Sequence, residues 1–235
     1  MTRIALIDYG SGNLHSARKG LLQAGSEFSG SPLEVVVTRD AQEIDQADGL
    51  VLPGVGAFDP SIKKFREYGL EAPVHRAIDA GKPFLGICVG LQMLFEGSDE
   101  GVEPGLGILA GRVNRFIPEP GLTIPHMGWN QLDLKPKDCP IWWEVPDKPW
   151  VYFVHSYFAV PSDPRVIAAT STHGSQTFTA AVWKDNVIAT QFHPEKSSNL
   201  GLFLLANFLA FVTHSTGEEQ KVQKFNEIGP YFYRL

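Results

Sequence analysis

The corner at residues 86–92 (GICVGLQ) constrains this chain more than any other segment. An apolar run, residues 83–87 (PFLGI), ends at Cys88, and helix-forming residues begin near Val89. A strand that turns into a helix this abruptly needs glycines beside the corner, because the turn is sharp and neighbouring backbone comes close. Gly86 and Gly90 meet that need. The pattern is the nucleophile elbow G-x-S-x-G with sulfur in place of oxygen, which displays its central side chain at the carboxyl edge of a sheet.

The segments around the corner fit such a sheet. Residues 3–8 (RIALID) read as a buried strand ending in the turn YGSGN. Asn13 is placed to cap a helix over residues 14–24, with Leu14, Ala17, Leu21 and Ala24 on one face and Gly25 to stop it. Residues 26–32 (SEFSGSP) read as a loop, and residues 33–38 (LEVVVT) as a second strand. A third strand, residues 49–52 (GLVL), is broken by Pro53-Gly54-Val55-Gly56. Helical pieces over residues 60–68 and 71–80 lead to the fourth strand at 83–87. This order predicts an α/β fold, a mostly parallel open sheet with helices on both faces. From residue 97 to 189 short Val, Ile and aromatic runs alternate with Pro and Gly, which predicts antiparallel strands extending that sheet. Residues 187–192 (VIATQF) read as the last strand, and Ser198 or Asn199 as the cap of a final helix over 200–212.

Composition narrows the function classes. With 235 residues, 43% of them hydrophobic, the chain can bury a core without disulfides or metal. The net charge of −6 leaves no electrostatic footprint for nucleic acid or an anionic membrane. The two cysteines, Cys88 and Cys139, argue against a disulfide framework and for a reducing cytoplasm. The N-terminal apolar run stops at Asp8, too soon for a signal-peptide core, and the longest apolar stretch, residues 202–212, is too short for a bilayer and contains Asn207.

A lone cysteine is more often a packing residue than a nucleophile. What tips the balance here is a partner. Residues 191–195 (QFHPE) follow the last strand, and His193 and Glu195, two apart, project to one side in extended backbone. Glu195 can then hold one imidazole nitrogen while the other faces the thiol: nucleophile, base and orienting carboxylate. In a parallel sheet both segments come to the carboxyl ends of strands. A thiol at a helix N-terminus also gains thiolate character. The N–H of Val89 and the Pro53–Gly56 loop are candidate oxyanion donors, although that loop alone reads as an ordinary turn. Other motifs fail. The dinucleotide fingerprint lacks its third glycine, because His15 stands there, and no phosphate loop is present. The H-x-E at residue 193 lacks the P-C-x-x-C of zinc deaminases, and the histidines show no H-x-x-x-H. His15, His75, His173 and His214 read as surface or turn residues, and Trp142, Trp143 and Trp150 as packing residues.

These stretches together resemble the class I (triad) glutamine amidotransferases, and among them the glutaminase subunits of imidazole glycerol phosphate synthase. IDYGSGNL (7–14), LPGVGAF (52–58), GICVGLQMLFEGSDEG (86–101), PHMGWN (125–130), YFVHSY (152–157) and QFHPEKS (191–197) carry the likeness, in family order, over residues 3–212. The resemblance implies a flavodoxin-like domain over residues 1–213 and an extension of unknown role at 214–235, polar and then aromatic (YFYRL). It implies that Cys88 attacks the side-chain amide of glutamine, that His193, oriented by Glu195, moves the proton, and that no cofactor or metal takes part. Val55, after a peptide rearrangement, and Val89 would form the oxyanion hole. Gly56, Gln92, Glu100, Ser156 and Tyr157 would hold the α-amino and α-carboxylate groups. Residues 126–130, with Trp129 and Asn130 among them, Tyr152 and Lys196 would lie at a subunit interface and ammonia gate, joined by residues 10–13, Asn13 included. The implied partner is a (β/α)8-barrel cyclase, forming a heterodimer, that receives the ammonia and activates the site on docking.

The loop at 26–32 and the chain beyond about residue 215 depart from the family pattern, and Cys139 matches no motif, which suits a structural cysteine. Two rival readings stay open on sequence: an amidotransferase subunit of another pathway, and a free-standing cysteine hydrolase with the same elbow.

Overall fold

Eight strands form one sheet in the computed structural model, which describes residues 1–29, 32–136 and 138–215. The first half supplies β1 (Thr2–Ile7), β2 (Leu33–Thr38), β3 (Gly49–Gly54) and β4 (Phe84–Cys88), separated by α1 (Leu14–Ala24), α2 (Ala41–Gln46), α3 (Phe58–Glu67) and α4 (Glu71–Asp79). A single short turn, α5 (Val89–Gln92), follows β4. The second half adds β5 (Gly111–Arg115), β6 (His126–Gln131), β7 (Asp133–Leu134), β8 (Trp150–His155) and β9 (Tyr157–Pro161). It closes with β10 (Ile167–His173), β11 (Gln176–Lys184), β12 (Val187–Thr190) and α6 (Ser198–Ser215).

The sheet order is β2-β1-β3-β4-β12-β11-β10-β7. The members from β2 to β12 are parallel, and β11, β10 and β7 continue antiparallel. The last strand in sequence therefore lies beside the elbow strand and in the same direction, with Thr190 opposite Ile87. That pairing brings the residues after Thr190 to the carboxyl edge where β4 ends. Two antiparallel pairs, β5–β9 and β6–β8, stand apart from the main sheet.

Asn13 caps α1 as expected, its side chain accepting from the Ser16 N–H at 3.2 Å, and Ala17, Leu21 and Ala24 are buried. Gly25 does not stop the helix. It keeps right-handed helical dihedrals and opens a π-helical turn, Gly25–Ser29, so the expected loop is partly helical. β2 and β3 are not directly joined: α2 intervenes, capped by the Asp40 carboxylate on the Gln42 N–H at 2.8 Å. Pro53 does not break β3, because its register with β4 continues through Pro53 opposite Ile87 to Gly54 opposite Cys88.

α6 runs past both expected ends, from Ser198 to Ser215, so residues 213–215 of the proposed domain boundary lie inside a helix. By length and composition alone it reaches what a membrane span needs, yet buried residues occur on all its faces and it packs against α1. Its one buried amide, Asn207, donates to the Ile141 and Trp143 carbonyls at 3.0 and 2.9 Å. The rest of the expected extension, from residue 216, lies outside the described residues. Trp142 is buried and donates to the Ala168 carbonyl at 3.0 Å, whereas Trp143 and Trp150 are exposed rather than packed. Cys139 is buried and free, its thiol pushed up to about 12 by burial, which suits a structural role.

Candidate active site

Cys88 sits where β4 gives way to α5, at φ 55° and ψ −108°, a backbone conformation costly for a side-chain-bearing residue. The surroundings hold it there. A Cβ on Gly90 would lie 2.0 Å from the Leu52 carbonyl oxygen, and one on Gly86 2.9 Å from the Gly90 oxygen. The two glycines therefore let α5 press against β3 and β4, which forces the corner and aims Cys88 outward from the sheet edge. Cys88 is buried and unpaired.

The turn after β12 brings the partner. His193 and Glu195 are almost completely buried, and His193 Nδ1 meets Glu195 Oε1 at 2.8 Å. Backbone clamps fix the turn. The His193 N–H donates to the Tyr152 carbonyl at 3.0 Å, the Tyr152 N–H to Ser197 Oγ at 3.0 Å, and Ser197 Oγ to the His193 carbonyl at 2.7 Å. The other ring nitrogen, Nε2, is sealed from solvent and makes no hydrogen bond of ordinary geometry among the described residues. Burial pulls the imidazolium down, but the Cys88 sulfur and the Glu195 carboxylate outweigh it and push His193 up to about 10. The imidazole is thus electrostatically built to carry a proton beside a sulfur.

Cys88 and His193 line one cavity of about 390 Å³. Val55 and Val89, the two candidate oxyanion donors, line it too, as do Gly56, Gln92, Glu100, Ser156 and Tyr157. The Pro53–Gly56 loop is held by Ser11, whose Oγ donates to the Val55 carbonyl at 2.9 Å. Gly56 turns the loop at φ 92°, a conformation open to glycine. Glu100 is tied to the start of α3, its Oε2 accepting the Phe58 N–H at 2.8 Å. Gln92 donates to the Tyr157 carbonyl and to Gln191 Oε1, both at 3.1 Å, and Gln191 Nε2 lies 3.7 Å from Cys88 Sγ. Gln191 was visible only as part of a matching stretch; its amide is a donor aimed at the sulfur.

The expected interface residues divide. Lys196 is exposed at the cavity rim, and Trp129 and Tyr152 face each other across the β6–β8 pair with ring centroids 6.1 Å apart. Asn130 points the other way from Trp129, inward, donating to the Thr172 carbonyl at 2.8 Å. Asn13 is the helix cap already described. His173 is not a free surface residue: it donates to the Thr123 carbonyl at 2.8 Å and its ring lies 4.2 Å from that of His126. Among the described residues no group of three or more His, Cys, Asp or Glu is arranged to hold a metal ion.

Residues 5–211 match the class-I glutamine amidotransferase family. The imidazole glycerol phosphate synthase subunit HisH of Nostoc punctiforme is 57% identical over 212 residues, which cover 90% of this chain and 97% of that protein. Its counterpart in Gloeothece citriformis is 59% identical over 209 residues, covering 89% and 96%. Among solved structures, PurLQS from Thermotoga maritima aligns with a TM-score of 0.68 at 21% identity, over 90% of this chain and 99% of that one. The glutaminase domain of Trypanosoma brucei CTPS, with bound acivicin, aligns at 0.67 and 16%, over 95% and 97%. The two structures share the fold. On the match over nearly its whole described length, this chain belongs to the class-I glutamine amidotransferase family.

Proposed function

We propose that this chain is the glutaminase subunit of an imidazole glycerol phosphate synthase, hydrolysing glutamine and passing ammonia to a cyclase subunit in histidine biosynthesis. The observation that carries the chemistry is His193, buried, held by Glu195 at 2.8 Å and lining one cavity with Cys88. The high identity to relatives named as HisH carries the pathway.

Cys88 as thiolate attacks the side-chain carbonyl carbon of glutamine, forming a tetrahedral oxyanion that the Val89 N–H and, after a peptide rearrangement in the Pro53–Gly56 loop, the Val55 N–H stabilise. The imidazolium gives its Nε2 proton to the leaving amide nitrogen. Ammonia departs and a glutamyl thioester remains. The imidazole, neutral again, takes a proton from water, whose oxygen attacks the thioester; glutamate leaves and the sulfur regains its charge beside the imidazolium. Glu195 keeps Nδ1 protonated through both steps, so the reactive proton is always on Nε2. Gly56, Gln92, Glu100, Ser156 and Tyr157 hold the backbone end of the substrate. Trp129, Tyr152, Lys196, Asn130 and Asn13 belong to the docking side, and the partner is a (β/α)8 barrel. The reading needs no cofactor, and it places a soluble protein in the cytoplasm, where Cys88 and Cys139 stay reduced.

The test mixes the chain with a barrel cyclase and follows glutamate release with and without the cyclase's nucleotide substrate. Slow release from the chain alone, rising on docking and again with the nucleotide, is expected. Equal release under all conditions would remove the pathway assignment and leave only a generic glutaminase.

A further inference from the structure

Beside the active site lies a nest of phenylalanines, Phe116, Phe153, Phe158 and Phe178, with two buried histidines inside it, His126 and His155. A phenylalanine fills such a place at no polar cost, whereas a buried imidazole must satisfy two nitrogens. Here all four are partnered. His155 Nδ1 meets the Tyr157 carbonyl at 2.8 Å, His155 Nε2 meets His126 Nδ1 at 3.2 Å, and His126 Nε2 meets the Asn130 amide nitrogen at 3.2 Å.

The two ends of this line dictate where every proton sits. A carbonyl only accepts, so His155 must carry its proton on Nδ1 to bond Tyr157. A neutral ring then leaves Nε2 bare, and His126 must supply the proton from Nδ1. His126 Nε2 is bare in turn and takes a proton from Asn130, whose amide nitrogen also donates to the Thr172 carbonyl. Burial keeps both rings neutral, pulling His126 down to about 4 and His155 down to about 3. From the Tyr157 carbonyl the line continues into the pocket. Gln92 donates to that same oxygen and to Gln191 Oε1, which leaves the Gln191 amide nitrogen facing Cys88 Sγ.

We propose that the His126–His155 pair is a positioning device for the substrate pocket: it fixes the Tyr157 carbonyl, and through it the Gln92 amide, and anchors both to strand β6 at Asn130. The proposal rests on the glutamine-hydrolysis reading. Neither histidine is a catalytic residue; they act through groups that line the pocket.

Steady-state glutaminase kinetics of the complex with the cyclase test this, in wild type, His126→Phe and His126→Asn. The phenylalanine keeps the ring in the nest but removes the donor to His155, and the asparagine returns an N–H near the former Nδ1. Loss of one buried hydrogen bond predicts a KM for glutamine raised about tenfold in His126→Phe, kcat within about threefold, and a Tm close to wild type. His126→Asn should restore most of the KM. Wild-type KM in His126→Phe, no rescue by asparagine, or a joint fall of kcat, KM and Tm would each overturn the proposal. If the wild-type complex released no glutamate, the functional reading would fail on its own. The pair would then be judged by imidazole 15N shifts, where Nδ1-protonated rings at both residues, with the bare His155 Nε2 shifting in His126→Phe as it loses its donor, support it and mixed tautomers in wild type or an unmoved Nε2 in the variant refute it.

Discussion

Two buried histidines that line the same cavity are driven in opposite directions: His193 up to about 10 and His155 down to about 3. Burial alone depresses both. The difference is the company each keeps. His193 faces a sulfur and a carboxylate, which favour the charged ring; His155 faces a carbonyl and another imidazole, which do not repay the loss of water. One fold thus holds a histidine poised to be a proton donor and another held as a neutral strut, and the distinction rests on the turn after β12 and on the β6–β8 pair.

The largest effect should come from removing the sulfur that charges His193. Cys88→Ala is expected to cut glutamate release by at least about 10⁴-fold, while the complex fed with ammonia keeps its synthase activity. A loss of the ammonia-fed reaction as well would mean that the substitution had damaged docking, not chemistry. Next comes Glu195→Gln, which keeps the shape of the side chain but removes the charge at 2.8 Å from Nδ1. A drop of about 10³-fold in kcat/KM is expected, and the His193 titration followed by NMR should move down from its raised position. An unmoved titration would show that the carboxylate does not create the difference between the two histidines.

Gly90→Ala asks whether the two regions are mechanically separate. Its new Cβ would stand 2.0 Å from the Leu52 oxygen, so β3 and α5 must part and Cys88 must shift. A loss of about 3 kcal/mol in urea unfolding is expected, with the His126 and His155 imidazole resonances unchanged. Movement of those resonances would show strain passing from the elbow into the nest.

How legible these regions are in the sequence follows from how local they are. The elbow, the Asn13 cap and the His193–Glu195 turn each lie within a few consecutive residues, so spacing alone exposes them. α2 escaped because residues 41–46 bury one side chain, Ile44, and six residues show no period; the Asp40 cap was its only mark. The continuation of β3 through Pro53 depends on pairing with β4, which no local rule contains. The His126–His155 contact joins positions 29 apart on strands whose register sets which faces meet. Gln191 gained a role only once β12 was laid beside β4.

The opposite shifts also make opposite demands on stability as pH changes. His193 titrates above the ordinary 6.5 when folded, so its contribution is complete below 6.5 and is lost as pH rises toward about 10. His126 and His155 titrate below 6.5 when folded, so as pH falls from 6.5 toward 3 the unfolded chain takes up protons that the folded chain refuses, and stability is lost in acid. Replacing both by phenylalanine removes that second penalty and leaves the first untouched. Carboxylates contribute to the acid limb in either protein, so the difference between them isolates the pair. Between pH 7 and pH 4.5 each histidine shifted this far costs roughly 2.5 kcal/mol, so the urea-unfolding free energy of wild type should fall by on the order of 5 kcal/mol more than that of the double variant. From pH 7 to pH 9.5 the two should decline together. If instead the acid limbs coincide, the nest takes up protons while folded, and the pair cannot serve as the neutral strut that its hydrogen bonds describe.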